Sequence, residues 1–118
     1  MAIGKRLTGS GLSPLQTTNI IGDVDPAVTA VGTNAATAYA IGSANTTVTT
    51  AASGTGLILP AGASPWDEYS IANRGANTIA IYPPTGGTIN GGASATIATN
   101  GLGFAVCTSA DGLTWLMK

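Results

Sequence analysis

From about residue 27 onward no stretch of the chain holds apolar residues at helical spacing. Short apolar or β-branched runs are instead broken by Gly, Asn or Pro every several residues. A helix needs a sustained apolar stripe while a strand needs only a few residues, so this punctuation restricts the chain to many short strands. They are expected at 28–31, 37–41, 46–50, 57–59, 68–72, 78–82, 93–98, 102–107 and 114–117. Alanine is abundant and favours helix, but Thr and Gly stand beside those alanines and outweigh it. The expectation is an all-β fold, an antiparallel β-sandwich of jelly-roll type, with residues 27–118 forming one domain.

Local turn chemistry refines this. Tyr69 and Ile71 share one face of a strand, as do Ile79 and Ile81, and Asn73-Arg74-Gly75-Ala76-Asn77 between them reads as the turn of a hairpin. Pro83-Pro84 ends the second strand because neither proline donates to a ladder. Gly86-Gly87 and Asn90-Gly91-Gly92 bracket the small Thr88-Ile89 element. Asp111-Gly112 marks a final hairpin that returns 114–117 beside 102–107.

Residues 1–26 lack sustained periodicity and read as an N-terminal arm closed by a turn at Asp25-Pro26. Leu12, Leu15, Ile20 and Ile21 are its apolar anchors. Ordering such an arm costs entropy, which is offset where these side chains dock on the domain or on a neighbouring subunit.

The composition narrows the chemistry. Histidine is absent, Cys107 is the single cysteine, and charged residues make up 8% of the 118 positions. The usual general base is therefore missing, and neither a disulfide framework nor a cysteine-rich metal site can form within one chain. Cys107 follows Phe104-Ala105-Val106 and reads as a buried apolar thiol. Asp67 and Glu68 are adjacent, so a strand would point them to opposite faces. Asp23 and Asp25 lack the oxygen-ligand spacing of a calcium loop and read as a solvated turn. Gly9-Ser10-Gly11, Gly86-Gly87 and Gly91-Gly92 lack the strand, helix or lysine that a phosphate-binding loop requires. Asn45-Thr46-Thr47 fits a glycosylation acceptor by the chance of threonine abundance.

Four basic residues and a formal net charge of -1 leave no basic footprint for nucleic acid. No run is long enough to span a membrane, and Lys5-Arg6 is followed by no apolar signal core. The chain reads as non-enzymatic, with no cofactor and no metal. Tyr69 and Trp115 are expected in or near the core, while Trp66, after Pro65 at a loop end, is a candidate contact residue. With so few charges, an apolar face is expected to be covered by further copies of the chain.

The segment from Trp66-Asp67-Glu68-Tyr69-Ser70-Ile71 through Asn73-Arg74-Gly75 to Tyr82-Pro83-Pro84-Thr85-Gly86-Gly87, with the closing Asp111-Gly112 turn and Thr114-Trp115, resembles small virion proteins of tailed bacteriophages and prophages. With the threonine-rich segment before Gly56-Leu57-Ile58-Leu59-Pro60, the likeness covers about the last three quarters of the chain. Among such proteins it is similar to capsid decoration, or cement, proteins. The resemblance implies a homotrimer on the outer capsid surface, the major capsid protein as partner, and assembly in the cytoplasm of a bacterial host. Low charge, an arm-like start and the lack of long repeats favour decoration. A head or tail fibre piece is the alternative reading. A carbohydrate-binding module using Trp66 and Tyr82 is a third.

Overall fold

The computed structural model describes residues 23–118, which form ten strands and no helix. In chain order these are β1 (Val24–Ala30), β2 (Tyr39–Ala40), β3 (Asn45–Ala51), β4 (Gly56–Ile58), β5 (Glu68–Asn73), β6 (Ile79–Tyr82), β7 (Thr88–Ile89), β8 (Ala95–Ile97), β9 (Gly101–Cys107) and β10 (Thr114–Met117). Each of the nine expected strands has a counterpart. The all-β expectation holds.

The pairing is not that of an antiparallel jelly roll. A six-stranded sheet runs β1-β3-β5-β9-β10-β7 and a four-stranded sheet runs β2-β4-β6-β8. β1, β3 and β5 are mutually parallel neighbours, and so are β2, β4 and β6. Up to β6 the chain therefore alternates between the sheets, winding as a two-sided solenoid, and only afterwards do antiparallel strands take over. β8 pairs antiparallel with β6 and β9 with β5, which closes that end of the stack. The reason lies in connection geometry. Parallel neighbours cannot be joined by a tight turn, and here each crossover between them is a strand of the opposite sheet.

The expected hairpin of 68–72 with 78–82 is overturned by the same winding, since β5 and β6 belong to different sheets. Asn73 makes the crossing. Its buried amide donates to Asn77 O at 2.9 Å and to Ile97 O at 3.0 Å, and its Oδ1 accepts Gly75 N–H at 2.9 Å. One side chain thus ties β5 to β8 across the interior and satisfies backbone groups that water cannot reach. The final hairpin, by contrast, forms as read: β9 and β10 pair antiparallel, with Trp115 opposite Cys107.

Between the sheets lies one core, including Val28, Val48 and Ile71 from the larger sheet and Leu57, Ile79, Ile81 and Ile97 from the smaller. Trp115 is fully buried, its indole N–H donating to Gly112 O at 3.0 Å, and its ring lies 5.8 Å from that of half-buried Tyr69. Cys107 is buried as expected. The inward row of β9 is small, Gly103-Ala105-Cys107, because Ile97 packs directly beneath it. A Cβ on Gly103 would come within 2.7 Å of Ile97 Cδ1.

Asp25-Pro26 is not a turn but part of β1, so the last residues assigned to the arm are strand. Proline is tolerated there because β1 is an edge strand whose register shifts between Asp25 and Val28. At the far side Asn90, at φ 52°, extends the two-residue β7 with its side chain: Nδ2 donates to Met117 O at 3.0 Å and Oδ1 accepts Met117 N–H at 2.8 Å. The anchors Leu12, Leu15, Ile20 and Ile21 lie outside the described residues.

Asn73→Ala removes three hydrogen bonds at a buried site, among them the one that ties β5 to β8 through Ile97 O. A loss of about 3 kcal/mol is expected in denaturant unfolding. At the final turn, Asp111 accepts from Ser109 Oγ and from Leu113 N–H, which lowers its pKa. A lowered folded-state pKa stabilises above the ordinary carboxylate value and is lost as pH falls through the folded value. Acid titration of the melting temperature should therefore be shallower in Asp111→Asn than in the parent.

Candidate docking surface

Alternation and cross-strand register define what the larger sheet shows to solvent. One row across it runs Val24, Asn45, Ser70 and Phe104, another runs Thr47, Ala72 and Leu102, and a third runs Glu68, Val106 and Leu116. Toward β1 and β3 this face carries small or hydroxyl side chains. Toward β9 and β10 it is apolar: Leu102, Phe104 and Leu116 are all exposed. An open cleft of about 550 Å³ lies over this part, lined by Trp66, Glu68, Phe104, Val106, Leu116 and Lys118 among others. Single exposed apolar residues are ordinary, but a group of them around one cleft is a candidate contact surface.

Trp66 borders the cleft and is 76% exposed. It sits in the turn Ser64-Pro65-Trp66-Asp67, closed by Asp67 N–H donating to Ser64 O at 3.1 Å. Its φ of 70° is left-handed, at the position of such a turn where Gly or Asn is normally found after proline. Two further bonds hold it there: Asp67 Oδ2 accepts Ser64 N–H at 2.9 Å, and Trp66 N–H donates to Cys107 O at 2.6 Å. An L-residue in this conformation costs about 1–2 kcal/mol. The ring is thus displayed in solvent at an energetic cost to the fold, with little burial to offset it. Strain of this kind points to function.

The structure disperses the remaining polar candidates. Asp67 is engaged in the turn just described, while Glu68 faces the cleft. Asp25 accepts the Tyr39 hydroxyl at 2.9 Å, linking the two sheets, and this bond raises the Tyr39 pKa. Burial, with the nearby Asp67 charge, raises that of Tyr69. Among the described residues no three His, Cys, Asp or Glu side chains gather in a group fit to hold a metal ion. Asn45 opens β3, between β1 and β5, and Thr46 is buried. Tyr82 belongs to the smaller sheet, with its hydroxyl 3.4 Å from Thr33 O, so it does not join Trp66 in one aromatic platform.

Trp66 was visible in the sequence as a contact candidate; Leu102, Phe104, Val106 and Leu116 were read only as strand residues. Both faces of β9 are apolar in sequence, so alternation alone carried no signal of which face is outward. Comparison of the chain with protein-family models, curated proteins and solved structures found no match.

The two tryptophans allow a direct check. Acrylamide should quench Trp66 strongly and Trp115 weakly, so Trp66→Phe should leave a blue-shifted emission that resists quenching.

Proposed function

We propose that the chain is a non-enzymatic virion structural protein, a capsid decoration protein that docks through the outer face of its six-stranded sheet. The observation that carries this reading is the strained, solvent-exposed Trp66 beside the apolar Phe104 and Leu116. Tryptophan and phenylalanine are among the side chains that dominate protein contacts when desolvated. The resemblance of the segment from Trp66 to Asn90 to small phage virion proteins supplies the identity of the surface bound, the major capsid protein. A homotrimer on the outer capsid surface is part of the same proposal. Leu12, Leu15, Ile20 and Ile21 of the N-terminal segment are proposed as additional capsid or subunit contacts.

Two measurements test the reading. An antibody against the chain should label phage heads in negative stain; labelling confined to the tail would transfer the protein to the fibre alternative. Trp66→Gly relieves the left-handed strain and, after the added chain entropy of glycine, should stabilise the fold by about 0.5 kcal/mol. The same variant should bind capsids at least about tenfold more weakly, the loss of about 1.4 kcal/mol. A variant that loses stability while keeping full capsid affinity would contradict the assignment of Trp66 to docking.

A further inference from the structure

Two Asn-Gly pairs occur in the chain, Asn90-Gly91 and Asn100-Gly101. In such a pair the glycine nitrogen can close on the carbonyl carbon of the asparagine side chain, because glycine has no Cβ to obstruct the approach. The fold treats the two pairs differently.

Asn90-Gly91 forms the tip of a tight turn. Ile89 and Gly92 exchange both backbone hydrogen bonds at 2.9 Å, and the residues between them hold φ of 52° and 77°, the left-handed pair of a type I′ turn. Both are exposed, and among the described residues a Cβ on Gly91 would meet nothing within 4 Å. The Gly91 N–H makes no hydrogen bond with the described residues. What holds Asn90 is its side chain, bonded at the surface to Met117 O and to Met117 N–H. Exposed hydrogen bonds of this kind open at low cost.

Asn100-Gly101 is held by its backbone instead. Asn100 N–H donates to Asn73 O at 2.6 Å and Gly101 N–H to Ala98 O at 2.8 Å, so the attacking nitrogen is already engaged. A Cβ on Gly101 would lie 2.8 Å from Ala98 O and 3.0 Å from Ile97 Cγ2, which leaves little room for this backbone to rotate. Freeing it means opening the passage from β8 to β9, where Ile97 and Asn73 are buried.

We propose that Asn90 is a site of spontaneous covalent modification, at which loss of the side-chain amide unlatches the β7 turn from Met117. Gly91 N attacks Asn90 Cγ, the C–N bond of the side-chain amide breaks, and the amide leaves as ammonia with the proton that Gly91 gives up. Water then opens the cyclic imide at either carbonyl, yielding aspartate or isoaspartate. Aspartate lacks the donor that bonded Met117 O and sets an anionic oxygen against that carbonyl. Isoaspartate adds a methylene to the main chain, which a turn closed at both Ile89 and Gly92 does not accommodate. Either product adds a negative charge to the cleft that Asn90 lines with Glu68 and Lys118. The inference is independent of what that cleft binds.

Ageing of the intact chain at mildly alkaline pH, followed by peptide mass mapping, tests it against the same chain aged in denaturant. Unfolded, the two pairs should convert at similar rates, since no structure distinguishes them. Folded, the ratio of rates should favour Asn90 over Asn100 at least about tenfold. A ratio unchanged by folding, or one that favours Asn100, overturns the proposal. So does an Asn90 that stays intact in the folded chain while the denatured chain converts. Asn90→Asp supplies one product without ageing and should melt below the parent at neutral pH; a melting temperature equal to the parent's or higher would overturn the unlatching.

Discussion

Parallel strands cannot follow one another through a tight turn, and the rest of this fold depends on how that constraint is met. A crossover of a dozen or more residues is needed, and in most proteins a helix supplies it. This sequence has no helical stripe, so each crossover is built from a strand that runs in the opposite sheet. β2 connects β1 to β3, and β4 connects β3 to β5. Each connection thereby contributes to the other wall of the core, and the two sheets are built up together. The winding ends where β8 and β9 turn back antiparallel against β6 and β5.

Polar groups are placed where this winding would otherwise leave backbone unsatisfied. Asn73 bonds across the interior at the passage from β5 to β6, Asn77 Nδ2 donates to Ala51 O at the end of β3, and the Asn90 amide stands in for a missing strand residue beside β10. An asparagine carries both a donor and an acceptor in a plane like that of the peptide, which suits it to complete a ladder. Among the described residues β1 is an edge strand, and it carries Pro26 and a register shift, both of which discourage pairing with a foreign strand.

Against this economy of satisfied groups, the outer face of β9 and β10 stands apart. The bulky residues Leu102, Phe104 and Leu116 point outward, while Gly103 and Ala105 point inward. Space explains the inward side, since Ile97 and Trp115 already fill the interior there and leave no volume for larger side chains. Packing does not explain the outward side. Neither does it explain a tryptophan held in a left-handed turn by three hydrogen bonds.

What the sequence determined by itself was local. Runs of Val, Ile and Thr between Gly, Asn and Pro specified strands, because β-branched side chains fit a pleated surface and the breakers cannot continue one. Asp111-Gly112 specified the β9–β10 hairpin, because the turn residues and the two strands they join are contiguous. Burial of Trp115 and Cys107 followed from their apolar neighbours. Partner choice was decided only by the tertiary structure. The side-chain period is two in parallel and antiparallel strands alike, so nothing in Ile71 or Ile79 states whether β6 folds back onto β5 or crosses to the opposite sheet. The turn residues Asn73 to Asn77 permit either course. In the crossing that is observed, the buried amide of Asn73 bonds to Ile97 O, 24 residues away. Which face of β9 met solvent was likewise settled by the volume that Ile97 and Trp115 occupy, a property of the assembled core that no single strand contains.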